Sequence, residues 1–131
     1  MTTVRIIHPH ERDAGTAQTP GMERMAGVAA STCGATSIWM GDVTLAPGFR
    51  SQPHHHGGVE SAIYVISGRL RLRWGDHLEH EAEAGPGEFI FVPANAIHME
   101  INGSETEPVT QIVARGGDNI VVNVELTDAP A

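Results

Sequence analysis

Three histidines and one glutamate stand at spacings that could hold a metal ion. His54 and His56 are two residues apart, and side chains at that spacing on a strand point to the same face. Glu60 would return from the next strand after a Gly57-Gly58 turn, and His98 would arrive from a different strand. Imidazole and carboxylate ligands together suit zinc, iron, manganese, nickel or copper. The sequence therefore predicts one divalent metal ion.

Short strands must carry these side chains, and the pattern after Ser37 predicts them. Residues 69–74 alternate strictly between arginine and apolar side chains, which is typical of a half-buried strand. Turns containing glycine or proline separate successive apolar segments, and no segment after Ser37 has a helical period. This pattern favours a β-sandwich or barrel. The predicted strands are 38–45, 62–66, 69–74, 78–84, 88–92, 97–101, 109–115 and 120–126.

Two stretches of the chain resemble the two conserved motifs of the cupin superfamily. The first runs from Gly48 to Gly68 and contains His54, His56 and Glu60. The second runs from Gly87 to Asn102 and contains Pro93 and His98. Both motifs stand in the family's order and at about its spacing. By this resemblance the metal ligands are His54, His56, Glu60 and His98.

The resemblance also implies a fold and its boundaries. It implies an all-β cupin, a double-stranded β-helix that forms a jelly-roll-like barrel over residues 36–126. Residues 1–35 would form an N-terminal arm or edge strand, with Val4 to Ile7 as a short first strand. Residues 127–131 would form a C-terminal tail. Cupins resembling this chain are more often homodimers than monomers, and unpaired edge strands make a homodimer physically reasonable.

Two positions depart from the family pattern. Asn95 replaces a glycine of the second motif, and asparagine tolerates the positive φ that such a turn needs. Glu60 stands one position before the usual acid, whose place is taken by Ser61. A one-residue slip turns a side chain to the other face unless a bulge absorbs it. Two alternatives stay open, Glu60 as a fourth ligand or a site of three histidines.

Two further residues are candidates for catalysis. Glu100 follows His98 by two residues, so it should share the inward face and could act as a general base or orient water. The alternative is a strand end where Glu100 reaches solvent. Tyr64 would share a face with Glu60 on a straight strand and could donate a hydrogen bond into the site. The alternative for Tyr64 is a place in the core.

Other polar clusters have simpler interpretations. By alternation, His55 points away from His54 and His56. The face formed by Arg69, Arg71 and Arg73 could bind an anionic substrate. We prefer the interpretation that it is the solvated outer face. A further alternative is that some of these arginines pair with glutamates 79, 81 or 83 on a neighbouring strand.

Composition excludes several classes of partner. The chain has 131 residues, enough for one domain, and a formal net charge of −8. An acidic surface repels nucleic acids and anionic membranes. Cys33 has no second cysteine to pair with, which favours a reducing compartment. With no apolar segment near the N-terminus that resembles a signal peptide, we expect a cytoplasmic protein.

The leading functional hypothesis is a metal-dependent enzyme that acts on a small organic molecule. Small cupins that resemble this chain include dioxygenases, isomerases, lyases and polyketide cyclases, and their shared ligands do not separate these reactions. The alternatives are a non-catalytic module that binds a metal or small molecule, and an accessory protein acting with a partner enzyme.

Overall fold

The computed structural model describes residues 2–126 and shows an almost entirely β protein. A 3₁₀ turn spans Pro9–Glu11, and the one short helix of this part of the chain, α1, spans Ala30–Cys33. The ten strands are β1 (Met22–Val28), β2 (Trp39–Leu45), β3 (His54–His55), β4 (Ser61–Ser67), β5 (Leu70–Trp74), β6 (His80–Ala84), β7 (Phe89–Val92), β8 (His98–Asn102), β9 (Val109–Arg115) and β10 (Val122–Asn123).

The strands form two five-stranded sheets that face each other. The first sheet has the order β1-β2-β9-β4-β7, and the second has the order β10-β3-β8-β5-β6. Neighbouring strands are antiparallel in both sheets. The prediction of an all-β, jelly-roll-like barrel is confirmed.

The main core lies between the two sheets and follows from alternation along each strand. On β5, Leu70 and Leu72 are buried while Arg71 and Arg73 are partly exposed. Trp39 on β2 and Val65 on β4 meet them from the first sheet in one apolar cluster. Each such side chain contributes about 1.5–3 kcal/mol on full burial, so this layer drives closure of the barrel.

Strand β8 departs from simple alternation, since all five of its residues are buried. His98, Glu100 and Asn102 point into the barrel. Met99 and Ile101 point outward, where they pack in a second apolar cluster with Leu78. Cover on both faces allows this strand to present polar side chains to the barrel interior.

The first strand lies elsewhere than predicted. Val4 to Ile7 form no strand. Strand β1 lies further along within residues 1–35 and pairs with β2 at the edge of the first sheet. The inward positions of β1 are Met22, Arg24 and Ala26, and a buried arginine hides the alternation that marks a strand. The 127–131 tail lies outside the described residues. Within residues 2–126, no helix has the length and apolar character needed to span a membrane.

Candidate metal centre

The structure brings three histidines together inside the barrel. His54 on β3 stands directly opposite His98 on β8, and His56 follows immediately after β3. Their side chains offer ligand atoms within 4.8 Å of one another. All three are buried, with relative exposures of 2%, 4% and 3% for His54, His56 and His98. Three nitrogen donors around one point are suited to a divalent transition metal.

The backbone orients all three imidazoles. His54 Nδ1 lies 2.8 Å from the carbonyl of Gln52, His56 Nδ1 lies 2.6 Å from that of Ile120, and His98 Nδ1 lies 2.9 Å from that of Ala96. A carbonyl only accepts, so each Nδ1 carries the proton and donates. Each Nε2 therefore has a free lone pair, and Nε2 of His54 is buried without a hydrogen-bond partner in the described part of the chain. This arrangement is typical of metal-binding histidines, and the residues fit the predicted ion.

The three histidines are held in the neutral form that binds metals. Burial, helped by neighbouring His98, lowers the pKa of His54 to about 4. Burial, helped by the positive charge of Arg115, lowers the pKa of His56 to about 2. Burial also lowers the pKa of His98. At neutral pH these groups need not lose a proton before they bind an ion.

Glu60 does not join the histidines. Its side chain is exposed, and the cluster contains only His54, His56 and His98 among the described residues. Ser61 begins β4 in regular register with Val92 and is buried, so alternation turns Glu60 outward. With no bulge at this point to absorb the one-residue slip, the geometry fits a three-histidine site and not Glu60 as a fourth ligand.

Tyr64 also lies away from the histidines. It shares the outer face of β4 with Ala62, while Ser61, Ile63 and Val65 face inward. Its ring is 37% exposed and packs on Phe89, with ring centroids 4.8 Å apart. Tyr64 and Glu60 thus share a face as expected, but it is the outer one. The structure therefore does not bring Tyr64 to the three histidines.

Glu100 lies inside the barrel as expected. Its exposure is 4%, and Gln111 Nε2 donates to its Oε1 at 3.3 Å. Its backbone N–H donates to the hydroxyl of Ser51 at 2.9 Å. Burial alone would raise the pKa of Glu100, but His98, His54, Arg24 and the Gln111 hydrogen bond together lower it. A carboxylate two residues from a candidate metal ligand is thus held in its basic form.

A small polar chamber surrounds Glu100. The chamber has a volume of about 10 Å³, which is room for about one water molecule. Its apolar walls are Met22, Val43, Ile63, Val92 and Val113, and its polar walls are Arg24, His56, His98, Glu100, Gln111 and Arg115.

A larger apolar cleft adjoins the chamber. It has a volume of about 440 Å³ and opens where the β6 edge of one sheet faces the β7 edge of the other. Its lining includes Leu72, Trp74, Ile90 and Phe91, and it shares His98 and Val92 with the chamber. A ligand in this cleft would have its apolar part between the sheets and one end at His98.

Two buried arginines of the chamber were not predicted. Arg24 is 1% exposed and Arg115 is 5% exposed. A signal for Arg115 exists in the sequence, because β9 alternates inward through Val109, Gln111, Val113 and Arg115. Arginine is so rarely buried that the pattern favours a strand end at that point. No comparable signal exists for Arg24.

Comparison with known proteins identifies the family. A family model described as a cupin domain matches residues 41–114, more than half of the chain. The chain belongs to the cupin family. This match spans the positions of all three histidines and of Glu100.

Individual cupins share parts of this chain. A germin-like protein, subfamily T member 3, from Arabidopsis thaliana is 35% identical over 72 residues, which are 53% of this chain and 32% of that protein. Protein SchB from Streptomyces halstedii is 31% identical over 77 residues, 59% of this chain and 54% of that protein. The chain thus spans about a third and about half of these two curated relatives.

One solved cupin structure matches almost the whole chain. The polyketide cyclase RemF from Streptomyces resistomycificus superimposes with a TM-score of 0.74 at 24% sequence identity. The match covers 98% of this chain and 90% of that one. At this identity the likeness shows the cupin fold alone.

The turn predicted to tolerate Asn95 is present, with φ of 60° at that residue.

Proposed function

We propose that this cupin is a metal-dependent enzyme that acts on a small organic molecule. The observation that carries the proposal is the position of His98, whose side chain lies in the wall of both the apolar cleft and the polar chamber. Three protein ligands leave coordination positions for a substrate or water. A closed site with four protein ligands would instead favour a structural role.

The three imidazoles would hold one ion of zinc, iron, manganese, nickel or copper. When bound, such an ion supplies a Lewis acid that polarises a substrate oxygen or lowers the pKa of a water. The contribution of the protein is to fix the three rings through the carbonyls of Gln52, Ile120 and Ala96.

Glu100 would move the proton. Its carboxylate is buried beside His98 and accepts a hydrogen bond from Gln111, which holds Oε1 in place. Positioned general bases contribute about 10²–10⁴-fold to rate. The chamber around Glu100 excludes all but about one water molecule, so a proton taken from substrate would stay within the site.

Among the four reaction types, we propose the cyclase type. The likeness to RemF, described as a polyketide cyclase, extends over nearly the full length of both chains. A buried base beside a metal and an apolar cleft is also suited to removing a proton next to a carbonyl group. Such a ring closure keeps the atoms of the substrate or loses one water, and it consumes no dioxygen.

The second candidate function is a non-catalytic module that binds a small molecule. The small volume of the polar chamber, about 10 Å³, favours it, because little space remains for a reacting group beside Glu100. The test below separates the two functions by whether a bound compound is converted.

The test uses protein purified without a histidine tag and loaded in turn with each of the five metals. The substrates are aromatic compounds that carry poly-β-ketone side chains. Mass spectrometry measures their conversion, and an oxygen electrode measures oxygen uptake. We expect conversion without oxygen uptake. Glu100→Gln should lower kcat by about 100-fold or more and keep the metal. Tyr64→Phe, on the outer face, is the matched control and should stay within about twofold.

Two results would contradict the proposal. Oxygen uptake coupled to conversion would replace the cyclase type with a dioxygenase. Binding of the compounds without conversion, by fully metal-loaded protein, would favour the binding module.

We also propose that the protein forms a homodimer. The outer face of β4 and β7 exposes Tyr64, Ile66, Phe89 and Phe91, an uncharged surface on a chain of net charge −8. A second copy could cover this face without burying like charges. Sedimentation should give twice the chain mass, and Phe91→Lys should give monomers with unchanged metal content. A monomeric wild type would contradict the dimer.

A cytoplasmic location stays a prediction based on the single cysteine.

A further inference from the structure

Two arginines are buried in the polar chamber without an ion pair. Neither Arg24 nor Arg115 has a carboxylate oxygen within 4.0 Å in the described part of the chain. Arg115 donates from Nε to Asn119 and from Nη1 to Ser61, and its guanidinium lies 5.7 Å from the ring of Trp39. Buried guanidinium groups are normally paired with acids.

Arg24 leaves one edge of its guanidinium free. Its Nη1 donates to the carbonyl of Ala17 at 3.3 Å and to the hydroxyl of Thr19 at 3.0 Å. Within residues 2–126, its buried Nε has no partner and its Nη2 makes no hydrogen bond. Nε and Nη2 form a two-pronged edge that can donate two hydrogen bonds to an anionic oxygen.

The charges of the chamber do not balance. Arg24 and Arg115 bring two positive charges, and Glu100 is the one carboxylate of the described chain that lines the chamber with them. Since the three histidines are neutral, one positive charge is left over. A divalent ion would raise this excess to three. Burial of unbalanced charge is costly, so the site favours a ligand that brings negative charge.

Gln111 offers a further contact to such a ligand. Its Nε2 donates to Glu100, while its Oε1 is buried without a hydrogen-bond partner among the described residues. An acceptor of this kind pairs with a hydroxyl group and not with an anionic oxygen. The chamber thus has donors for an anion at Arg24 and an acceptor for a neighbouring hydroxyl at Gln111.

The dimensions restrict the anion further. A chamber of about 10 Å³ has room for about one atom, so it admits one anionic oxygen of a ligand and excludes a whole phosphate or sulfate group. The adjoining cleft of about 440 Å³ is lined mainly by apolar side chains and would hold the rest of the molecule.

We infer that the substrate of the proposed enzyme carries an anionic carboxylate or enolate oxygen on an apolar body, and that Arg24 binds this oxygen in the polar chamber with Arg115 beside it. The inference rests on the proposed function, because it places the substrate at the same three histidines. It names a class of substrate that the fold and the metal site leave open.

The test compares 2-naphthoate with its neutral analogue 2-naphthamide. Isothermal titration calorimetry with metal-loaded wild type at pH 7 gives the ratio of the two affinities. We expect 2-naphthoate to bind about tenfold more tightly or better. A metal ion would itself favour a carboxylate, so the ratio is measured again in Arg24→Gln and in the control Arg71→Gln. Arg71 lies on the outer face of β5 and pairs with Glu81.

The variants separate the contribution of Arg24 to the affinity ratio from the contribution of the metal. Arg24→Gln should reduce the affinity ratio by about tenfold, and Arg71→Gln should leave it unchanged. Arg24→Lys keeps the positive charge and loses the two-pronged edge, so its affinity ratio should fall between those of wild type and Arg24→Gln. If Arg24→Gln does not fold, Arg24→Lys provides the test in its place. Elemental analysis of each sample confirms equal metal content.

The outcomes distinguish the two proposals. An affinity ratio near one in wild type, no binding of either probe, or an unchanged ratio in both Arg24 variants would overturn the inference while the metal site stands. Samples without metal would overturn the proposed function itself.

Discussion

Strands β5 and β8 are antiparallel neighbours, yet their side chains have opposite arrangements. β5 turns Leu70 and Leu72 into the barrel and its arginines outward. β8 turns His98, Glu100 and Asn102 into the barrel and its apolar side chains outward. The two inward sets meet directly across the ladder, where Leu72 stands opposite Glu100 and Trp74 stands opposite His98.

The difference shows how a small barrel combines folding with chemistry. The inward side of β5 closes the main apolar core. The inward side of β8 lacks this apolar contribution and presents His98, the proposed metal ligand, and Glu100, the proposed base. The second cluster of Leu78, Met99 and Ile101 restores apolar burial on the other face of β8. Four variants or conditions can break this comparison or sharpen it.

The largest expected effect is on metal binding by β8. Removing a residue that hydrogen-bonds to a metal ligand lowers metal affinity by about 10–100-fold. His98→Ala removes a proposed ligand itself, so it should lower metal affinity by about 1,000-fold or more. Competition with a chromogenic chelator measures this change. His55→Ala is the matched control, since His55 lies between two ligands but outside the cluster, and it should stay within about threefold. Equal metal affinities of His98→Ala and His55→Ala would contradict the role of β8 in metal binding.

The next effect is on folding through β5. Leu72→Ala should lower the free energy of unfolding by about 2–5 kcal/mol, because it opens a cavity in the main core. Urea unfolding measures the change. Met40→Ala, on the exposed face of β2, should cost less than about 1 kcal/mol. Full metal content in folded Leu72→Ala is expected. A Leu72→Ala protein as stable as wild type would mean that β5 does not close the core.

A smaller effect concerns pH. The pKa of His54 is lowered to about 4 and that of His56 to about 2 from an ordinary value of 6.5. A histidine whose pKa is lowered on folding does not oppose folding above pH 6.5, where it is neutral in both states. Stability falls as pH drops below 6.5, because the unfolded state then binds a proton that the folded state does not. At pH 5 the loss should be about 2 kcal/mol for each imidazole in metal-free protein.

Urea unfolding of metal-free protein at pH 7 and at pH 5 checks this expectation. His56→Gln should reduce the difference in stability between the two pH values by about 2 kcal/mol, and His8→Gln, at an exposed position, should not change it. Equal stability of wild type at both pH values would show that these imidazoles are not buried as neutral groups.

The smallest effect is on the outer face of β5. Arg69 pairs with Glu83 and Arg71 pairs with Glu81, in line with the alternative that some of these arginines pair across strands. All four side chains are substantially exposed, and exposed ion pairs contribute about 0–1 kcal/mol. Arg71→Ala should therefore change the free energy of unfolding by less than about 1 kcal/mol. A larger loss, measured beside Arg50→Ala as a control, would mean that this face contributes to folding as the inward face does.

Most strands and three site residues could be predicted because they depend on local rules. Alternation and turn residues marked β2 and β4 to β9, and the spacing of His54 and His56 placed both on one face. The sequence left the direction of Glu60 open because a shift of one residue reverses a side chain, and only the strand register shows which way it points.

The rest depended on contacts distant in sequence. Strand β1 exists because it pairs with β2, although its own residues alternate poorly. Arg24 and Arg115 come from opposite ends of the chain to one chamber. No pattern in either segment indicates that they meet, and burial of arginine runs against its usual preference.

X-ray absorption spectroscopy of the metal-loaded, untagged protein tests the central claim most directly. The account predicts one ion per chain, with scattering from three imidazole rings at about 2.0–2.1 Å for zinc and with the remaining positions occupied by oxygen. Sulfur scattering from Cys33, fewer than three imidazoles, or the absence of a bound ion would contradict it.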